Sequence, residues 1–146
     1  MALSAAAGLT TRNTTGKTVL EPTIETGKII YQHALCVVTA AGIADPADNV
    51  VASEYSIGIA LDSSTGVFPV TGDGTKTVDC YVDIEVLLPL ESAITVGNEM
   101  ENMYAFDDNR VTDLTTRGNA VGILTEFVAA NSGYVYLGKA ALAVSS

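Results

Sequence analysis

The sequence has no tryptophan, a single histidine (His33), two cysteines (Cys36 and Cys80) and only seven lysines and arginines against seventeen aspartates and glutamates. Each shortage closes off a class of function. One His and two Cys, 44 positions apart and outside any CxxC spacing, cannot build a standard zinc site without several carboxylates. Without Trp there is no indole platform for stacking sugars. A net charge of −10 repels a phosphate backbone, so direct nucleic-acid binding through the body of the chain is not expected. Nowhere does an apolar run approach the ~18–20 residues needed to cross a bilayer as a helix. The opening Met1-Ala2-Leu3-Ser4 has no basic region and its apolar run is short, so no secretion-signal pattern is read there. The two thiols are expected as buried free cysteines, in a protein made in the cytoplasm.

Helix formers are also thin, with three Met and one Gln. Val, Ile, Thr and Tyr are plentiful instead, and thirteen Gly punctuate them. Nearly half the chain (48%) is apolar and only 16% is charged, which is enough to bury a core and more than one small core needs. The charge is unevenly placed: residues 1–28 carry three basic and two acidic side chains, the remainder four basic and fifteen acidic.

Beyond Gly27 the pattern is strand and turn. Strands are expected at 29–32, 34–39, 57–61, 66–70, 77–88, 103–107, 120–128 and 134–140, with turns at Ala41-Gly42, Asp45-Pro46-Ala47-Asp48-Asn49, Asp62-Ser63-Ser64, Thr71-Gly72-Asp73-Gly74, Val96-Gly97-Asn98 and Asn131-Ser132-Gly133. From Val78 to Val86 the even positions are apolar and the odd ones are Asp79, Tyr81, Asp83 and Glu85. That alternation predicts one strand with a core face and an anionic, solvated face. A helical turn or two could start near Asp45–Asp48 or Ser53-Glu54. A weak internal repeat pairs Tyr55-Ser56-Ile57-Gly58-Ile59-Ala60 with Asn119-Ala120-Val121-Gly122-Ile123-Leu124. The glycine within each apolar strand predicts a bulge or a close backbone approach. The fold class is therefore all-β, a small barrel or sandwich, with a duplication at about 27–90 and 91–146.

Catalytic chemistry is hard to assemble. His33 with Cys36 could formally make a nucleophile pair, but Cys36 lies in an apolar strand and no Gly-x-Ser-x-Gly elbow is present. The stretch Asp107–Asp113 has Thr112 where a calcium loop needs glycine and Gly118 where it needs the bidentate glutamate, and reads as a solvated hairpin turn. Gly16-Lys17-Thr18 ends like a phosphate loop, but Thr11 stands at the first glycine position. Asp83 and Glu85 share a strand face and could be cast as a glycosidase pair, although adjacent exposed acids are common. No enzyme activity, metal or cofactor is expected.

Residues 1–26 sustain neither a helical nor an alternating period, and Pro22 interrupts any regular element. They read as an extended arm ahead of a body at 27–146.

The body has an Ala34-Leu35-Cys36-Val37-Val38 strand, then Ile57-Gly58-Ile59-Ala60 and Ser64-Thr65-Gly66-Val67-Phe68-Pro69-Val70. The Val78–Val86 run and Ile94-Thr95-Val96-Gly97-Asn98-Glu99 follow. The closing pair is Val121-Gly122-Ile123-Leu124 and Tyr134-Val135-Tyr136-Leu137. Through these Gly-punctuated β segments the chain resembles the small capsid decoration, or cement, proteins of tailed bacteriophages. The resemblance implies a compact β-barrel or β-tulip body, often trimeric, on the outer surface of an icosahedral virion shell. It implies the major capsid protein as partner, no membrane, and no catalytic residues. An arm of that kind could add a strand to a coat-protein sheet edge. Leu3, Leu9, Val19, Leu20 and Ile24 would fill pockets on the partner, and Arg12 and Lys17 would pair with its carboxylates. Two other readings fit the same composition: another virion part such as a fibre or accessory head or tail protein, and a carbohydrate-binding or adhesion module.

Overall fold

The structure is a computed structural model that describes residues 9–12, 18–48, 50, 51 and 53–137. Among these residues the chain is all-β, with no α-helix and one 3₁₀ turn at Val96–Asn98. The strands are β1 (Thr11–Arg12), β2 (Thr18–Leu20), β3 (Ile29–Ile30), β4 (Leu35–Val38), β5 (Ala44–Pro46), β6 (Tyr55–Ser63), β7 (Val70–Thr71), β8 (Val78–Val82), β9 (Ile84–Pro89), β10 (Asn102–Asp107), β11 (Arg110–Thr112), β12 (Ala120–Ala129) and β13 (Ser132–Leu137). They form antiparallel sheets in the orders β2-β8-β6-β4-β5, β1-β9-β13-β12-β10-β11 and β3-β7.

The two large sheets repeat one topology. Without β1, the second runs β9-β13-β12-β10-β11, strand for strand the counterpart of β2-β8-β6-β4-β5. The match extends to register. Ile59 lies opposite Tyr81 and Ile123 opposite Tyr136. The ladder slips between Ala60 and Asp62 in one unit, and between Leu124 and Glu126 in the other. Ile24 bridges in parallel to Ala44, and Leu90 to Val111. Glu25 donates its N–H to the Ala44 carbonyl, as Glu91 does to that of Val111. Each sheet thus curls until its last strand meets the segment following its first. Each closure is a single bridge rather than a ladder, and three antiparallel sheets describe the architecture. Drawn by their ladders, the units run 18–82 and 84–137.

The glycines of the sequence repeat sit at equivalent places. Gly58, at φ +90°, lies opposite Cys36, and Gly122 opposite Met103. A Cβ on Gly58 would overlap the Tyr81 carbonyl oxygen, and one on Gly122 would meet the Tyr136 carbonyl oxygen at 2.5 Å. A register shift adjoins each, at Cys36/Val37 and at Met103/Tyr104. Both the bulge and the close backbone approach expected of these glycines are present.

Two apolar clusters fill the body. One gathers Ile24, Ile30, Cys36, Ile57, Val78 and Cys80 within the first unit. The other gathers Ile84, Val86, Leu90, Met103, Leu124 and Val135 in the second, and also Leu35, Val37 and Ile59 from the first. Strand β4 therefore buries both faces, Cys36 toward one cluster and its neighbours toward the other, which accounts for its unbroken apolar run.

Four expectations need correction. The run 77–88 is two strands, not one. Asp83 adopts a left-handed φ of +62°, so that Val78 and Cys80 pack in the first cluster while Ile84 and Val86 pack in the second. The odd-numbered face is not uniformly solvated, since Glu85 is only 5% exposed. No helical turn forms at Asp45–Asp48. Pro46 instead closes the edge strand β5 opposite Cys36, where its missing N–H is tolerated. The strand expected at 66–70 is confined to Val70–Thr71, and residues 138–140 of the last expected strand lie outside the described residues.

Candidate functional site

The N-terminal segment runs antiparallel to the β8–β9 run. Strand β2 pairs with β8, Val19 opposite Tyr81 and Leu20 opposite Cys80. Strand β1 pairs with β9, Thr11 opposite Val86 and Arg12 opposite Glu85, and Leu87 donates its N–H to the Thr10 carbonyl. The segment beyond β2 continues inward: Ile24 donates its N–H to the Lys76 carbonyl, and Val78 donates to that of Pro22. Residues 18–25, expected within the extended arm, therefore form one wall of the first unit.

Arg12 is the focus of a polar clamp. Its Nε donates to Glu85 Oε2 at 3.1 Å, its Nη2 lies 3.0 Å from the same oxygen, and its Nη1 donates to Glu126 Oε1 at 2.7 Å. The guanidinium sits 3.6 Å from the centroid of the Tyr134 ring, a cation–π contact. The Thr125 hydroxyl donates to Glu85 Oε2 as well. The hydrogen bond to Glu126, ahead of those to Glu85, holds the guanidinium pKa above its ordinary value. Glu85 is nearly buried, so this pairing compensates a charge that has lost most of its water. No local pattern signals this arrangement, because period-2 alternation assigns Glu85 to the solvent.

The expected partner-binding residues separate into groups. Leu3 and Lys17 lie outside the described residues. Leu9 packs against the second-unit cluster and Leu20 against the first. Ile24 is 1% exposed inside the first cluster, so it fills a pocket of its own body. Arg12 pairs with carboxylates of its own body. Val19 stays 39% exposed on β2.

A second polar feature lies where the first sheet closes. Asp45, on β5 next to the Ile24–Ala44 bridge, has a buried Oδ1 with no hydrogen-bond partner among the described residues. Burial, then the hydrogen bond and charge of Glu25, push the Asp45 carboxyl up to about 7, against the opposing pull of Lys28.

The remaining sequence candidates are dispersed. His33 is half-buried at φ +67° and donates its main-chain N–H to the Ala60 carbonyl. Cys36 is fully buried, and its hydrogen-bond contact with Cys80, followed by burial, pushes its thiol well above the usual range. Asp83 accepts from the Tyr136 hydroxyl at 3.1 Å while Glu85 is committed to Arg12, so the two carboxylates have different partners. The stretch from Asp107 forms the β10–β11 hairpin turn, as expected. It is not solvated at Asp107 and Asp108, which are buried, and Asp107 Oδ1 accepts the Asn109 N–H. Among the described residues no group of three or more His, Cys, Asp or Glu side chains is placed to hold a metal ion, and no helix is long and apolar enough to cross a membrane.

The chain matches no family model and no curated protein. What its geometry offers is main-chain pairing at strand edges, secured by one charged clamp.

Proposed function

We propose that this protein is a structural component of a phage virion that seats on the outer surface of an icosahedral capsid and strengthens the joints between coat subunits. The observation that supports this reading best is the way the N-terminal segment docks. It joins a strand edge through β1, with Arg12 pinned by Glu85, Glu126 and Tyr134. Strand addition of this kind gives affinity through main-chain hydrogen bonds and specificity through side chains at the edge. The acidic, all-β body is in keeping with a protein that acts through contact area rather than reaction. Each coat joint so covered would bury about 1,600 Å² if it is of standard size, and many identical copies would multiply the gain. A compact β-tulip-like body, assembly into trimers and synthesis in the bacterial host cytoplasm belong to the same proposal.

The test is co-sedimentation of the purified protein with expanded shells of the phage that encodes it, stripped of their outer proteins. Saturable binding at defined stoichiometry and a raised shell-disruption temperature are expected. No association at micromolar protein would refute the reading. Truncation should stop at residue 10, because 18–25 are part of the first unit.

A further inference from the structure

The duplication exposes an asymmetry. In the second unit the outer edge of β9 carries a strand, β1; its counterpart in the first unit, the outer edge of β2, has no described strand beyond it. We propose that the outer edge of β2 is a second strand seat, and that its occupant is an extended segment of a partner protein carrying an arginine or lysine opposite Val19.

The equivalence is fixed by register. Val19 pairs with Tyr81 as Glu85 pairs with Tyr136, and Leu20 with Cys80 as Val86 with Val135. Val19, Leu20 and Glu21 thus correspond to Glu85, Val86 and Leu87, the residues along which β1 lies. The main chain is also correctly turned. The Pro22 carbonyl bonds inward to Val78, and hydrogen-bonding direction alternates along an antiparallel strand. The N–H and C=O groups of Val19 and Glu21 therefore point away from β8, toward the seat. The missing N–H of Pro22 falls on the inward side and does not block it. Val19 and Glu21 are both exposed.

Charge supplies the chemistry of the occupant. At the occupied seat, Arg12 opposite Glu85 reaches Glu126 and Tyr134, which face each other across β12 and β13. The corresponding cross-strand pair beside β2 is Asp62 opposite Asp79. Like charges directly opposite each other destabilise a sheet, and among the described residues neither aspartate is in an ion pair. A cationic side chain reaching over from a strand on β2, as Arg12 does on β9, would relieve that repulsion. A second copy of this chain is the poorer occupant, because its own Leu9–Arg12 segment already lies on its own β9.

The probe is a blocked peptide with the sequence of residues 8–13, Gly-Leu-Thr-Thr-Arg-Asn, titrated into the full-length isotope-labelled protein. Expected are saturable amide shifts at Val19–Glu21 and around Asp62 and Asp79. Affinity should fall about tenfold for the peptide with Arg replaced by Glu, and likewise for the Asp62→Asn/Asp79→Asn double variant, whose surface changes leave the rest of the spectrum in place. The proposal is overturned by no shifts at millimolar peptide, by shifts confined to β9 as the peptide displaces β1, by affinity indifferent to the Arg or the aspartates, or by self-association of the protein through β2. Peptide binding is read without shells, so the seat and the capsid reading can fail separately.

Discussion

Replacing Asp45 by asparagine should make the protein more stable above neutral pH, with a gain that shrinks as the pH falls toward 4. Asp45 stands on β5 where the first sheet closes, beside the bridge between Ile24 and Ala44 and in contact with the Glu25 carboxylate. Its buried Oδ1 has no hydrogen-bond donor among the described residues. Folding raises its pKa from 3.8 to about 7, so between those values the folded state holds a proton that the unfolded state has released. Stability from this group is therefore complete below about pH 4, declines as pH rises through about 7, and is level beyond. The gap between 3.8 and about 7 corresponds to at most about 4 kcal/mol. Partial exposure, nearby Lys28 and salt screening reduce the expected effect to about 1–2 kcal/mol. The asparagine variant cannot ionise, so it should gain that amount over the parent at pH 8 and less than half of it at pH 5. Urea unfolding of both proteins at pH 5, 6, 7 and 8 measures the difference. A difference that does not change with pH, or an asparagine variant less stable at pH 8, would refute the reasoning.

Gly58→Ala and Gly122→Ala should each destabilise by about 3 kcal/mol, since a methyl group would press on a carbonyl oxygen of the neighbouring strand. Gly97→Ala, where the nearest atom is Thr95 Oγ1 at 3.5 Å, should stay within about 0.5 kcal/mol; denaturant melts decide both. Cys36 and Cys80 should resist a thiol reagent in the folded protein and react together once urea unfolds it, because both are buried and the Cys36 thiol is held protonated. Arg12→Glu should free β1, seen as faster hydrogen exchange at the Leu87 amide, which bonds to Thr10, with little change at Val78 in the first unit.

How much of this was legible in the sequence depended on whether the signal was local. The alternation at Val78–Val86 marked strand, but it continues in step through Asp83, so nothing in the side-chain pattern disclosed a break made by the backbone. Aspartate reaches the left-handed region more readily than most residues, which makes such a break inexpensive and silent. Strands β1, β2, β5 and β11 are two or three residues long, too short for any period to show. Glu85 was placed in solvent because its partners are distant in sequence, Arg12 by 73 residues and Thr125 by 40. The Gly58–Gly122 correspondence was visible because a close approach admits only one residue type, whatever surrounds it.

Positions that set the curl of each unit keep their type across the duplication: Gly58 and Gly122, Ile59 and Ile123, Tyr81 and Tyr136, Glu25 and Glu91 at the closures. Positions that surround the outer edge do not: Val19 faces Glu85, Asp62 faces Glu126, and Asp79 faces Tyr134 in the correspondence. One ladder geometry can hold either set, since these side chains lie outside both apolar clusters. Their difference is therefore free to follow what lies against each edge. On β9 that is the chain's own Arg12, and the edge residues form a pocket for it. On β2 the same positions leave two carboxylates facing each other, an arrangement that costs stability in isolation and that a cation arriving from outside the unit would relieve.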